Sequence, residues 1–196
     1  MSSKREFFKV ASAAEGRIGN AVELDYHDLG GFNSLALHEG RRIGSLPPIT
    51  LAVKVRAPTS ADFDVVVNPL GWTIVSKRLG EAFCKAAGDH IELLPVEIRN
   101  LDGELVRNDF FVLNALCFVN ALSEGRTVRS RITLGSIYPI LKIGIVSSRV
   151  PDDVHVFRLV GNPHALLADS VLERAISKVS HDGLVLLPVE QEVEGP

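Results

Sequence analysis

A chain of 196 residues with 46% apolar and 23% charged side chains is long enough to bury its own core, and it needs neither disulfide nor metal to fold. Its net charge of −3, with lysines and arginines scattered apart from Arg41-Arg42 and the run Arg126–Arg131, points away from direct contact with nucleic acid. Cys84 and Cys117 are the two cysteines; apolar neighbours and the absence of metal-ligand spacing mark them as core residues of a reduced, cytoplasmic protein.

The opening MSSKREFFKVASAAEG carries basic residues and an Ala-Ser-Ala, but Glu6 and Lys9 interrupt what would be the apolar centre of a signal peptide. Strand candidates follow at Glu6–Ala11, Ala21–Tyr26 and Thr50–Val55, separated by Leu29-Gly30-Gly31 and Pro47-Pro48. Residues 1–60 are therefore expected to form an N-terminal strand-rich lobe, and residues 61–196 a second, pseudo-duplicated α+β domain. Phe63–Val67 reads as a strand. Ser76 is placed to cap a helix that runs through KRLGEAFCKAA to Gly88, and a strand bearing LLPVE comes next. Asn100–Gly103 is a turn signal, which makes a hairpin with Phe110–Leu116. SEGRTVRSR, Ser123–Arg131, reads as a polar loop, and Ile132–Ser147 as one or two strands. Its most apolar part, Ile137–Val146, is broken by Pro139 and Lys142 and is too short to span a membrane. Val154–Val160 is a strand leading to a second helix at Asp169 and a second LLPVE. Glu190–Glu194 forms a solvated acidic tail.

Sliding the chain by 93 residues aligns Ser76–Glu97 with Asp169–Glu190 without a gap, and 9 of 22 pairs are identical. Ordinary composition gives about one or two. The matches are Leu79/Leu172, Ala82/Ala175, Lys85/Lys178, Asp89/Asp182 and the five residues of LLPVE. Leu79, Ala82, Phe83 and Ala86 share one helix face, as do Leu172, Ala175, Ile176 and Val179. Each unit is a capped helix, a turn (Gly88-Asp89-His90 or His181-Asp182-Gly183) and a strand. Units of about 62–98 and 155–191 follow, within an α+β fold of mixed, mostly antiparallel sheets. Pro95 and Pro188 lack a ladder donor, so each LLPVE strand is expected at a sheet edge or at a bulge.

Chemistry is hard to find. Asp25-Tyr26-His27-Asp28 packs two carboxylates and an imidazole together, but strand neighbours face opposite ways and an exposed polar turn is the simpler reading. Cys84 and His90 have no built-in geometry for a nucleophile and its base. His164, Asp169, Ser170, Ser177 and His181 lack a nucleophile elbow, and Asp169 has a plainer role as a helix cap. Phosphate-cradling loops of the GxxxxGK or GxGxxG type are missing. No catalytic residue, metal ligand or cofactor is assigned. Trp72, the single tryptophan, reads first as a packing residue and second as an anchor for a partner.

Several short motifs occur in a telling order. They are GRRIGSLPP (Gly40–Pro48), Ile74-Val75-Ser76 before the first helix, LLPVEI, the strand end Phe110–Asn114, Phe157-Arg158-Leu159, Asp169–Leu172 and Gly183–Pro188. In this order, across roughly residues 35–190, the chain resembles a bacterial immunity-protein family found beside polymorphic toxins and first described around a myxobacterial protein. It departs from that pattern at Phe110-Phe111, where tyrosine is usual, at Asn120, where an acid is common, and at Leu187, where phenylalanine is frequent. The resemblance implies a non-enzymatic, cytoplasmic protein whose partner is a cognate protein toxin, a nuclease being the leading type, with no direct nucleic-acid or membrane contact. An inhibitor or escort of a secreted protease is the variant reading. A small enzyme or ligand-binding protein with a cleft between the repeats is the alternative from another class, and a housekeeping assembly subunit is the third. Under the leading reading the toxin-contacting residues are sought in segments outside the repeated core: Asp25, Tyr26 and Asp28, Trp72, and the loop with Glu124, Arg126 and Arg129.

Overall fold

The helix expected after Ser76 forms over Lys77–Ala87 (α1) and buries the face that carries Leu79, Ala82, Phe83 and Ala86. It stops at Gly88, whose φ of 54° suits glycine and whose amide donates to the Cys84 carbonyl. The second helix, Ser170–Ile176 (α2), is shorter and starts from Asp169, whose carboxylate accepts from the Val171 amide at 2.8 Å. Ser76 departs from expectation. It stands at the N-cap position, yet its hydroxyl caps nothing and donates instead to the buried carboxylate of Asp64.

The structure, a computed structural model, describes residues 5–12, 22–53, 63–130, 140–179 and 183–192. Its strands in chain order are β1 (Phe7–Ser12), β2 (Val22–Asp28), β3 (Thr50–Val53), β4 (Val65–Val67), β5 (Thr73–Ser76), β6 (Ile91–Asn100), β7 (Leu105–Ala115) and β8 (Phe118–Val119). They continue with β9 (Val128–Arg129), β10 (Ile140–Lys142), β11 (Gly144–Val146), β12 (Val156–Leu159), β13 (Asn162–Asp169), β14 (Leu184–Pro188) and β15 (Glu190–Glu192). Six strands close a barrel in the order β2-β3-β6-β7-β5-β4, and five make a sheet in the order β14-β1-β13-β12-β8. Two smaller pairs, β9 with β10 and β11 with β15, complete the set. Pairing is antiparallel except for β2–β4, β3–β6, β12–β8 and β11–β15, so the α+β class with mostly antiparallel sheets holds.

Each half contributes a hairpin, a helix and a strand: β4-β5-α1-β6 to the barrel, and β12-β13-α2-β14 to the open sheet. The helices lie against each other, and Leu79, Phe83, Leu172 and Ile176 share one apolar cluster with Val75 and Leu166 from the strands beneath. A second cluster, with Ile74, Leu94, Ile98, Phe110 and Val112, belongs to the barrel strands; a third, with Phe7, Phe157, Leu159 and Leu167, backs the open sheet. The strands of the first sixty residues are divided between the two: β1 sits inside the open sheet between β14 and β13, while β2 and β3 are barrel strands.

The Asn100–Gly103 turn forms the expected hairpin. Gly103 takes φ 84°, and the Asn100 side chain accepts from the Glu104 amide at 2.8 Å while donating to the Glu104 carboxylate. Ser123–Arg131 is not wholly a loop, since Val128 and Arg129 pair with β10. The prediction for the LLPVE strands needs a correction for the first copy. β6 lies between β3 and β7 in a closed barrel, so it is no edge. The barrel accommodates Pro95 because β3 pairs only with Ile98–Asn100, leaving the proline with one ladder neighbour, Phe111 on β7. The register shift falls just past it, between Val96 and Ile98. β14 is an edge strand, and Pro188 is its last residue. Of the turn before it, His181 and Asp182 lie outside the described residues, as do residues 132–139 and the end of the acidic tail.

The two copies should therefore differ in their sensitivity to truncation. Leu94 is fully buried in the barrel core, and Leu94→Ala is expected to cost about 3–5 kcal/mol. Leu187, only partly buried on the edge strand, should cost under about 2 kcal/mol. Urea unfolding followed by circular dichroism measures both, and equal losses would contradict the asymmetry.

Candidate functional site

Barrel and open sheet face each other across a cleft of about 560 Å³, walled by β4 and the start of β5 from one and by β1, β13 and β14 from the other. The turn that leads into β5 is built by Asn68, whose side-chain amide donates to the carbonyls of Val66 and Trp72 at 3.0 and 2.8 Å and whose oxygen accepts from the Trp72 amide at 3.1 Å. This clamp holds Gly71 at φ 69°, where a Cβ would lie 3.8 Å from Nε2 of His38 and 4.0 Å from Nδ1 of His164. His164 is exposed on β13 and lines the cleft. His38 ends a short 3₁₀ turn, is 7% exposed, and packs against His164 with ring centroids 4.6 Å apart and the ring planes tilted by 59°. Behind them Arg158 of β12 is 1% exposed, and its Nη1 donates to the Pro163 carbonyl at 2.7 Å. Burial first, then the positive fields of Arg158 and His164, push the His38 imidazole down to about 4, against a weaker opposing pull from the Leu70 and Pro163 backbone. Burial also lowers the Arg158 guanidinium to about 10.

A buried carboxylate takes part in the corresponding strand-to-cap contact of each unit. Asp64, just before β4, accepts from the Ser76 hydroxyl and from Nε of Arg78 at 2.6 Å. Asp169, at the end of β13, accepts from Nε of Arg5 at 2.6 Å and lies 2.9 Å from Nδ1 of His155. The backbone repeats the relation, since the Ser76 amide donates to the Asp64 carbonyl and the Asp169 amide to that of His155. Acid and partner have exchanged places between strand and cap. His155 beside Asp169 has the look of an oriented base. However, both Asp169 oxygens are engaged, one by Arg5 and His155 and the other by the Val171 amide, so the group ties β1, β12 and α2 together. Among the described residues, no group of three or more His, Cys, Asp or Glu is arranged to hold a metal ion.

The residues singled out for partner contact fall in three different settings. Asp25, Tyr26 and Asp28 lie on β2 rather than in a turn, and with Glu23 and His27 all are exposed. A register irregularity between Leu24 and Tyr26 breaks the alternation that would turn one of each neighbouring pair inward, so Leu24 is buried while Tyr26 is 53% exposed. Trp72 must be taken off the contact surface. It is 5% exposed, packs edge-on against Phe32, and donates from its indole to the Ser34 carbonyl at 3.1 Å. Glu124, Arg126 and Arg129 are exposed around β9, where Arg129 reaches both Glu124 oxygens at 3.0 and 3.2 Å. Cys84, half-buried on α1, has its thiol pushed up by burial and then by Glu81, away from nucleophilic character.

The His38, His164 and Arg158 grouping escaped the sequence reading. Arg158 sits within the strand motif Phe157-Arg158-Leu159, and an arginine flanked by apolar residues was the one available signal. His38 and His164 are too far apart in the chain to suggest each other.

The comparison with known families matches this chain, over residues 23–191, to the immunity protein family Imm11, and the chain belongs to that family. No curated protein matches it. No helix among the described residues is long and apolar enough to cross a membrane.

His38 gives the fold a definite acid sensitivity. An unfolded chain takes up its proton near pH 6.5, whereas the folded protein does so only near pH 4, so acidification favours unfolding across that window. The loss between pH 7 and pH 4 should be on the order of 2–3 kcal/mol. His38→Leu removes this part of the pH dependence, and urea midpoints of both proteins across that range measure the difference.

Proposed function

We propose that this protein binds and neutralises a cognate bacterial toxin without chemistry of its own, acting in the cytoplasm of the cell that makes the toxin. Family membership supplies the class of partner. The observation that carries the reading to particular residues is β2, a strand that turns Glu23, Asp25, Tyr26, His27 and Asp28 outward together. Strands of a folded barrel ordinarily hide one side chain in two, so an exposed acidic and aromatic row on a rigid element suits recognition better than it suits stability. Tyr26 supplies the amphipathic anchor typical of interface centres. The carboxylates around it suit a basic partner, and a nuclease that binds polyanionic substrate has such a surface beside its active site. Covering that surface would block substrate. The ribbon with Glu124, Arg126 and Arg129 is a second contact region.

The cleft is the feature an enzyme would use. Among the described residues it presents one histidine and no carboxylate at its walls, which supports binding over acid–base catalysis.

Co-expression with the toxin encoded beside this gene tests the proposal, with host survival and co-purification of a complex as readouts. Tyr26→Ala should weaken the complex by about 30-fold or more. Asp25→Asn with Asp28→Asn should mainly slow association and flatten its salt dependence. Alanine at Glu124, Arg126 or Arg129 should cost less, because Glu124 and Arg129 already pair with each other. A toxin that ignores the wild-type protein, or binds the β2 variants as tightly, would refute the assignment.

A further inference from the structure

Three basic side chains stand in file from the cleft inward. His164 is exposed on the wall, His38 is packed beneath it, and Arg158 lies in the interior, close enough for its charge to act on His38. Among the described residues Arg158 has no carboxylate partner. Its Nε and both ring nitrogens of His38 are buried without a hydrogen bond of full geometry, the Leu70 and Pro163 backbone being the nearest acceptors to the ring. The cleft wall adds Lys9 and Lys142 and, among the described residues, contains no Asp or Glu, in a protein whose acidic residues outnumber its basic ones, 24 to 21. Lys142 is balanced by Glu190 at 2.6 Å; Arg158 has no such balance.

A buried charge is normally neutralised by an opposite charge of its own chain, as the interior carboxylates of Asp64 and Asp169 are by Arg78 and Arg5 here. Arg158 breaks that rule behind the His38–His164 pair, whose outer ring lines the cleft. An uncompensated positive charge behind an exposed histidine of the cleft wall favours an incoming anion. The walls set its class. Val65, Leu184, Leu187 and Ile140 are apolar, and His164 is the lining residue that touches His38, so a carboxylate on an apolar body, which one ring N–H can engage, fits better than a phosphate, which needs donors around three oxygens.

We propose that the cleft between the barrel and the open sheet is a carboxylate-binding site, with His164 as the contacting donor, Arg158 as the charge behind it across the neutral His38 ring, and the Val65–Leu184–Leu187 wall as the seat of an apolar body. The carboxylate comes either from an acidic side chain of the bound toxin, a case that rests on the function proposed above, or from a free organic acid.

The full-length protein, titrated with sodium hexanoate while the imidazole signals of His38 and His164 are followed by NMR, tests the site directly. Hexanol and inorganic phosphate serve as comparison ligands. A saturable shift of both rings at about 10 mM hexanoate or below, lost in His164→Phe and not reproduced by hexanol or phosphate, assigns the site to a free acid. If hexanoate leaves the rings unmoved, the toxin complex decides. His164→Phe weakening that complex by roughly tenfold or more, with His38 shifted in the wild-type complex, assigns the carboxylate to the toxin. Silence in both arms overturns the proposal, as does phosphate binding as well as hexanoate. A wild-type protein that binds no toxin sinks the toxin-neutralising reading instead, and the hexanoate titration then decides by itself whether the cleft holds a carboxylate.

Discussion

The contact of α1 with α2 is the joint on which this molecule depends. Neither half buries its helix alone: Leu79 and Phe83 need Leu172 and Ile176 opposite them, and the strands beneath each helix complete the same apolar cluster. Removing that area from water is worth far more than any polar contact at the seam. Its placement is nevertheless fixed by polar groups. Asp64 ties the start of β4 to Ser76 and Arg78 at the start of α1, and Asp169 ties the strand before α2 to His155 and Arg5. Two buried acids, each satisfied by hydrogen bonds and a guanidinium, set where each helix begins and so how the pair meets. With the helices fixed, one half can close as a barrel and the other can stay open, and the cleft is the space left between them.

This arrangement explains which parts of the fold were legible in the sequence. Helical spacing of Leu79, Ala82, Phe83 and Ala86, the glycine stop at Gly88 and the Asn100–Gly103 turn are local signals, and each formed as read. The role of Pro95 was not legible, because the partner of β6 on its far side, β3, comes from more than forty residues earlier and meets it only beyond the proline. The cap at Ser76 failed for a related reason. A hydroxyl chooses between nearby amides and a distant acid, and Asp64 arrives through strand pairing that no local pattern records. Trp72 followed the ordinary rule for a large aromatic residue, burying its ring and satisfying its N–H.

The motifs shared with the family also gain a physical meaning. Gly40–Pro48 and the Phe110–Asn114 strand meet at Glu92, whose carboxylate accepts from the amides of Ile43 and Gly44 and from the Asn114 side chain. Burial works against that carboxylate, but these donors hold it below the usual range. The Asp169–Leu172 motif is a cap followed by a core leucine. Such motifs keep the scaffold and are silent about the partner. Phe157-Arg158-Leu159 is the exception, since its phenylalanine and leucine pack in the core while its arginine lacks a counter-charge.

Charge in this molecule is sorted by place, and the net value of −3 hides it. Acidic side chains gather outward on β2, where a bulge frees consecutive residues from the barrel wall. Basic groups gather inward behind His164, where burial keeps them from water. The two arrangements exert different kinds of influence. Exposed carboxylates act at a distance, through a field that salt screens within about 8 Å at physiological ionic strength. The buried Arg158 cation acts only on a group that enters the cleft, and there screening is weak. A partner that used both would be drawn in by the first and held by the second, so raising the salt concentration should slow its arrival more than it hastens its departure.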